Sequence, residues 1–176
     1  MKLYVVIDFQ NDFVTGPLGT PEAQAIIPKI VEKIKNIDAK DVLAFTYDSH
    51  TDDYLNTQEG KNLPVEHCLV GSTGWFIVKE VSSAADIATP KFFNKPTFGC
   101  MGLMDYIKTL EHELDEIEFC GVCTDICVIS NALMAKAVLP EVKISVDASC
   151  CAGVTPELHK AALSVMKSCQ IEIKGE

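Results

Sequence analysis

The stretch EIEFCGVCTDICVISNALMAKAVL, residues 116–139, decides how the chain is read. Its first part, Ile117 to Val122, is short, rich in apolar and aromatic residues and apolar on both faces, which predicts a strand buried in a parallel sheet. Its second part, Asp125 to Leu139, repeats apolar residues at three- and four-residue spacing, which predicts a helix, with Thr124 or Asp125 able to cap it. Working outward, Leu3 to Ile7, Val42 to Tyr47 and Val142 to Val146 read as further buried strands, with weaker ones at Pro90 to Asn94 and Gln170 to Ile173. Pro21 to Asn36, Cys100 to Glu113 and Pro156 to Ser168 read as helices. Strands alternating with helices predict an α/β domain with a doubly wound, mostly parallel six-stranded sheet and helices on both faces.

At 176 residues, 48% of them hydrophobic, the chain can bury one sizeable core, and two would both be undersized. One domain over residues 1–176 is expected. The net charge of −10 and the dispersal of the 15 basic residues argue against a nucleic-acid partner. The opening run MKLYVVIDFQ is too short for a signal segment, and no later stretch reaches the 18 or so uncharged apolar residues that a membrane span requires. A cytoplasmic protein with no membrane partner is the expectation. There the eight cysteines would mostly be free thiols used for packing.

In an open parallel sheet the ligand crevice lies past the carboxyl ends of the strands, so polar residues just beyond each strand are the ones to weigh. Asp8 follows LYVVI, where capping a turn competes with chemistry. Lys95 ends KFFNK, and Lys91, at the strand start, points away from the crevice. Cys127 falls in the first turn of the predicted helix, where unpaired amides and the macrodipole lower a thiol pKa. Cys123 precedes that turn and Cys120 lies inside the strand. The C-x-x-C of Cys120 and Cys123 admits a redox or zinc reading, but its first thiol sits in the strand and no second C-x-x-C exists. Asp48 and His50, two apart in extended chain, face one side beyond the second strand. His67, at the far end of the long polar segment Ser49 to Glu80, could return as a third ligand, a donor set that suits a catalytic divalent metal. His112 and His159 lie in amphipathic helices and are assigned to the surface. The vicinal Cys150 and Cys151 are assigned to packing at a strand-to-helix turn.

Taken together, IDFQNDF (7–13), TYDSH (46–50), LPVEHC (63–68), KPTFG (95–99), GVCTDICV (121–128) and VDASCCAGVTPELHKAAL (146–163) resemble the isochorismatase-like cysteine hydrolase superfamily, most closely its nicotinamidase-type amidases. The resemblance implies a catalytic triad of Asp8, Lys95 and Cys127, and a cis peptide before Cys123 that turns the Cys123 and Cys127 amides toward an oxyanion. It implies that Phe13 packs on the substrate ring and that Asp48, His50 and His67 bind a divalent metal, with zinc first and iron or manganese as alternatives. The implied reaction converts a small-molecule carboxamide, nicotinamide foremost, to the acid and ammonia through a thioester, in a homo-oligomer. Two departures stand out. Asp52, Asp53 and Tyr54 occupy the region where some nicotinamidases carry a further histidine, and Leu63 and Pro64 lie where some carry a tryptophan; Trp75 comes only after His67. The alternatives are hydrolysis of another small carboxamide, isochorismate-type vinyl-ether hydrolysis, which needs no cysteine, and a catalytically silent metal- or thiol-binding module.

Overall fold

Leu3, Val5, Val6 and Ile7 are at most 1% exposed, because this strand lies in the middle of the sheet with layers on both faces. The computed structural model describes residues 1–86 and 89–176. The strands are β1 (Lys2–Ile7), β2 (Val42–Asp48), β3 (Lys91–Lys95), β4 (Glu116–Val122), β5 (Lys143–Ala152) and β6 (Glu172–Lys174). They pair in the order β3-β2-β1-β4-β5-β6, every pair parallel. The helices are α1 (Asn11–Val14), α2 (Pro21–Ala25), α3 (Ile27–Lys35), α4 (Gln58–Asn62), α5 (Lys79–Ala85), α6 (Met101–Thr109), α7 (Ile129–Val138) and α8 (Pro156–Ser168).

The chain steps outward from β1 to β3, then returns beside β1 and steps the other way to β6. With right-handed crossovers that reversal puts the two helix sets on opposite faces. Accordingly α3 packs against α2 and α5, while α7 packs against α6 and α8. The reversal falls between β1 and β4, and the carboxyl ends of those strands therefore open a crevice.

Several elements differ from the sequence reading, each for a local reason. The helix expected over 21–36 breaks at Ile26, because Pro28 has no N–H to give and its ring crowds the Gln24 carbonyl. The helix expected to run from Cys100 to Glu113 ends at Thr109. The strand expected over 142–146 continues to Ala152, so Cys150 and Cys151 lie within β5 and not in a turn. Its second half carries polar residues, and they have partners. Asp147 pairs with Lys33 at 2.6 Å and accepts from the Ser149 hydroxyl at 2.7 Å. In the neighbouring β4, the nearly buried Glu118 meets Lys2, Lys33 and Lys174 at 2.5–2.9 Å. The long segment after β2 is likewise built, with a 3-10 turn at Tyr54–Asn56, α4 capped by Thr57, and bridges from Gln10 to Ile77 and from His50 to Leu69.

Gly121, paired with Ile7 where β4 approaches β1, has φ of +113°, and a Cβ there would lie 2.2 Å from the Ile7 carbonyl oxygen. Only glycine fits both constraints. Gly121→Ala is expected to lower the unfolding free energy by about 2–4 kcal/mol in a urea titration. An unchanged midpoint would contradict this packing of β4 on β1.

Candidate active site

Four neighbouring strands deliver the charged groups. Asp8 follows β1, Asp48 ends β2, Lys95 ends β3, and the residues after β4 carry Cys127. All four are buried, Asp8 at 0% exposure. Lys91, at the start of β3, is exposed. The Lys95 ammonium lies 2.7 Å from Asp8 Oδ2, 3.2 Å from Asp48 Oδ1 and 3.5 Å from Cys127 Sγ. Burial alone would lower the Lys95 pKa, but the carboxylates of Asp8 and Asp48 outweigh it and raise it. The ammonium is fixed.

Asp8 is aimed by its surroundings. Thr46 donates its hydroxyl to Asp8 Oδ1 at 2.6 Å and accepts the Asp8 N–H at 3.1 Å. Oδ2 is paired with the Lys95 ammonium and has no other polar partner among the described residues. Burial raises the Asp8 pKa, partly opposed by Lys95. Burial also drives the Cys127 thiol well above its ordinary range, with the Asp8 charge adding to the shift and Lys95 opposing it. This corrects the sequence expectation of a depressed thiol. The desolvation of a nearly closed pocket outweighs the helix terminus, and the resting thiol is neutral.

The turn carrying Cys127 is not the expected first α-turn. Thr124–Val128 is π-helical, with Val128 N–H donating to the Cys123 carbonyl at 3.1 Å. The Val122–Cys123 peptide is cis. Asn131, fully buried, donates its amide to the Cys127 carbonyl at 2.8 Å and to the Phe98 carbonyl at 3.0 Å, and accepts from the Cys100 N–H at 2.9 Å. It ties the Cys127 turn to the KPTFG loop. Of the other thiols, Cys123 is half-buried beside Cys127, Cys169 is exposed, and Cys68, Cys100, Cys120, Cys150 and Cys151 are buried.

Beside Lys95 lies a second cluster. His50 Nε2 is 2.9 Å and His67 Nε2 3.4 Å from Asp48 Oδ2. Glu59 Oε1, from α4, stands 3.7 and 3.9 Å from the same two nitrogens. One donor atom from each of the four lies within 4.8 Å of the others. His67 Nδ1 is 2.8 Å from the Val65 carbonyl, so Nδ1 donates its proton there and Nε2 is the nitrogen turned to the cluster, the arrangement that metal-bound imidazoles use. The donor set of two carboxylates and two imidazoles fits a divalent ion of the zinc, iron or manganese kind.

Glu59 was missed from the sequence because it sits in a polar segment where carboxylates are common. The Thr57 cap and the short α4 are the features that aim it. Gln10 was also missed. Fully buried, it donates to the Asp48 and Trp75 carbonyls and accepts the Asp48 N–H, each at 2.8 Å, which fixes Asp48.

Between the two clusters is a cavity of about 230 Å³ whose wall includes Phe13, Leu18, Leu63, Phe98, Ile126 and Val154, with Cys127, Asp48, Glu59 and His67 supplying polar atoms. The Phe13 ring lies 5.4 Å from that of His67. Trp75 is not in the wall: it packs on Tyr47 and Phe76, and its indole N–H donates to the Ser49 hydroxyl. His112 is exposed as expected, but His159 is not a surface residue. It is half-buried, with Nδ1 2.8 Å from the Thr124 hydroxyl.

The chain matches the Isochorismatase domain family over residues 2–174 and belongs to that family. A comparison with curated protein sequences returned no significant match. Among solved structures, nicotinamidase PncA from Bacillus subtilis is 28% identical, with a TM-score of 0.84 and 98% of each chain covered. The pyrazinamidase/nicotinamidase of Streptococcus mutans is 27% identical at a TM-score of 0.84, covering 98% of this chain and 99% of that one. The pyrazinamidase of Pyrococcus horikoshii in complex with zinc, 24% identical at a TM-score of 0.83 and covering 98% and 97%, shares the fold. The protein is thus a hydrolase of the isochorismatase family with nicotinamidases as structural neighbours.

Metal content of the purified protein tests the second cluster. His67→Ala is expected to lose its metal on purification. Glu59→Gln is expected to weaken binding in a chelator titration by at least the roughly 10-fold that loss of even an outer-sphere partner costs. Unchanged affinity in Glu59→Gln would return the set to Asp48, His50 and His67.

Proposed function

We propose that the protein is a cysteine-dependent amidohydrolase that converts nicotinamide to nicotinate and ammonia through a thioester on Cys127, the whole chain acting as one domain. The observation that carries this reading is the Lys95 ammonium, paired with the Asp8 carboxylate and 3.5 Å from the Cys127 thiol, which lines a small apolar cavity together with Asp48, Glu59 and His67 of the second cluster. The likeness to two nicotinamidases above 25% identity supports the substrate class.

In this reading Asp8 Oδ2, whose one polar partner among the described residues is the Lys95 ammonium, accepts the thiol proton as Cys127 attacks the carboxamide carbon. The proton stays within the pair and is not released, because two anions beside one ammonium are unfavourable in a buried site and both groups have raised pKa values. Lys95 keeps one negative charge on the pair. The backbone amides of Cys123 and Cys127 hold the tetrahedral oxyanion. Asp8 then gives the proton to departing ammonia, takes one from the water that cleaves the thioester, and returns it to the Cys127 sulfur as the C–S bond breaks. Phe13 packs on the ring. Asp48, His50, His67 and Glu59 would hold a divalent ion, zinc first, which when bound supplies a Lewis-acid contact for the ring nitrogen. A vinyl-ether hydrolysis would leave Cys127 without a task.

Ammonia release from nicotinamide by the metal-loaded protein is the test. Turnover should fall by about a thousandfold or more in Cys127→Ala, while Cys123→Ala, which keeps its backbone amide, should lose far less. Equal, mild losses in both would refute the assignment of the nucleophile. No release from the wild type would refute nicotinamide as the substrate.

A further inference from the structure

Thr124 opens the π-helical turn that carries Cys127 and follows the residue whose amide is proposed to hold the oxyanion. Its side chain is fully buried, and its hydroxyl has one hydrogen-bond partner among the described residues, His159 Nδ1 at 2.8 Å. His159 lies on α8, so the contact joins the turn to a different layer of the fold. A second tie runs beside it: Asp125 Oδ1 accepts the Val154 N–H at 2.9 Å. Between these ties Gly153 has no room for a side chain. A Cβ there would lie 2.7 Å from Asp125 Oδ1 and 2.9 Å from His159 N. Gly153 and Val154 also line the cavity that holds Cys127. The β5–α8 connection is therefore clamped against the turn from outside the reacting groups.

The clamp depends on the charge of His159. Burial favours the neutral ring; Asp125 on the turn opposes this and Lys160 on α8 adds to it, and the net shift is downward. A neutral ring that carries its proton on Nε2 accepts the Thr124 hydroxyl at Nδ1. A protonated ring must donate at Nδ1, and the Thr124 hydroxyl proton then has no acceptor in a fully buried place.

We propose that neutral His159 is a positioning residue, which through Thr124 holds the Cys127 turn in its reactive form, so that protonating His159 slows turnover without weakening substrate binding. This deepens the amidase reading and rests on it for the kinetic part.

The test compares His159→Leu, which fills the space without an acceptor, with His159→Asn, whose amide oxygen can take the place of Nδ1 and does not titrate. Thr124→Val and the double variant His159→Leu/Thr124→Val complete a cycle. For nicotinamide hydrolysis, His159→Leu is expected to lower kcat by roughly 10- to 100-fold with KM within about twofold. Thr124→Val should do the same and the double variant no worse than either, while His159→Asn should retain kcat within a few-fold and lose the acid limb that His159 contributes to the pH profile.

Alkylation of Cys127 by iodoacetamide, measured against the exposed Cys169 in the same molecules, reads the turn without substrate. Its ratio should change in His159→Leu and Thr124→Val and be restored in His159→Asn. Additive losses, equal losses in the Asn and Leu variants, or an unaltered acid limb in His159→Asn would each overturn the proposal. If the wild type does not hydrolyse nicotinamide, that substrate fails, while the alkylation ratios still decide the clamp. Should His159→Leu not fold, Thr124→Val and His159→Asn carry the same comparison.

Discussion

One buried ammonium organises this molecule. Removing a lysine charge from water costs several kcal/mol, and the Lys95 side chain, 1% exposed, is held there by Asp8 and Asp48 on either side. The strand order supplies the geometry. β3, β2, β1 and β4 lie side by side and all run parallel, so their carboxyl ends bring Lys95, Asp48, Asp8 and the Cys127 turn to one place without any long excursion of the chain. An antiparallel neighbour anywhere in that set would send one of these groups to the opposite rim.

The charge balance around Lys95 also shapes the chemistry. With both carboxylates ionised the local sum is already negative, so a thiolate on Cys127 adds a second uncompensated anion in a pocket walled by Phe13, Ile126 and Val122. The proton is therefore better passed to Asp8 Oδ2 than released. The cluster of Asp48, His50, Glu59 and His67 relieves the same excess from the other side, since a divalent ion there would offset Asp48 and Glu59. Asp48 thus belongs to both halves of the site, facing Lys95 through one oxygen and the histidines through the other.

Much of this was legible before the fold was known, because the informative residues end apolar strands. LYVVI, VLAFTY and IEFCGV read as buried parallel strands; Asp8 and Asp48 directly follow the first two, and Cys127 lies five residues past the third. What escaped is non-local. Glu59 has no periodicity to mark it and is aimed by a five-residue helix. His159 follows a helical pattern that fits a surface position equally well, and only the approach of α8 to the Thr124 turn gives it a partner. The π-helical turn is likewise invisible in TDICV, whose spacing suits an α-helix. The extent of β5 was hidden by Asp147 and Ser149, polar residues that bond each other, with Asp147 also paired to Lys33 on α3. The thiol pKa was misjudged because the helix terminus is a local signal and desolvation is not.

The account stands on Cys127 becoming covalently acylated while Asp8 and Lys95 manage its proton. The most direct measurement is mass spectrometry of the metal-loaded enzyme quenched in acid during turnover of nicotinamide, followed by peptide mapping. The account predicts one nicotinoyl group on the peptide bearing Cys127, located on that thiol. Turnover with no acyl group on any thiol, or with the group on Cys123, would contradict it.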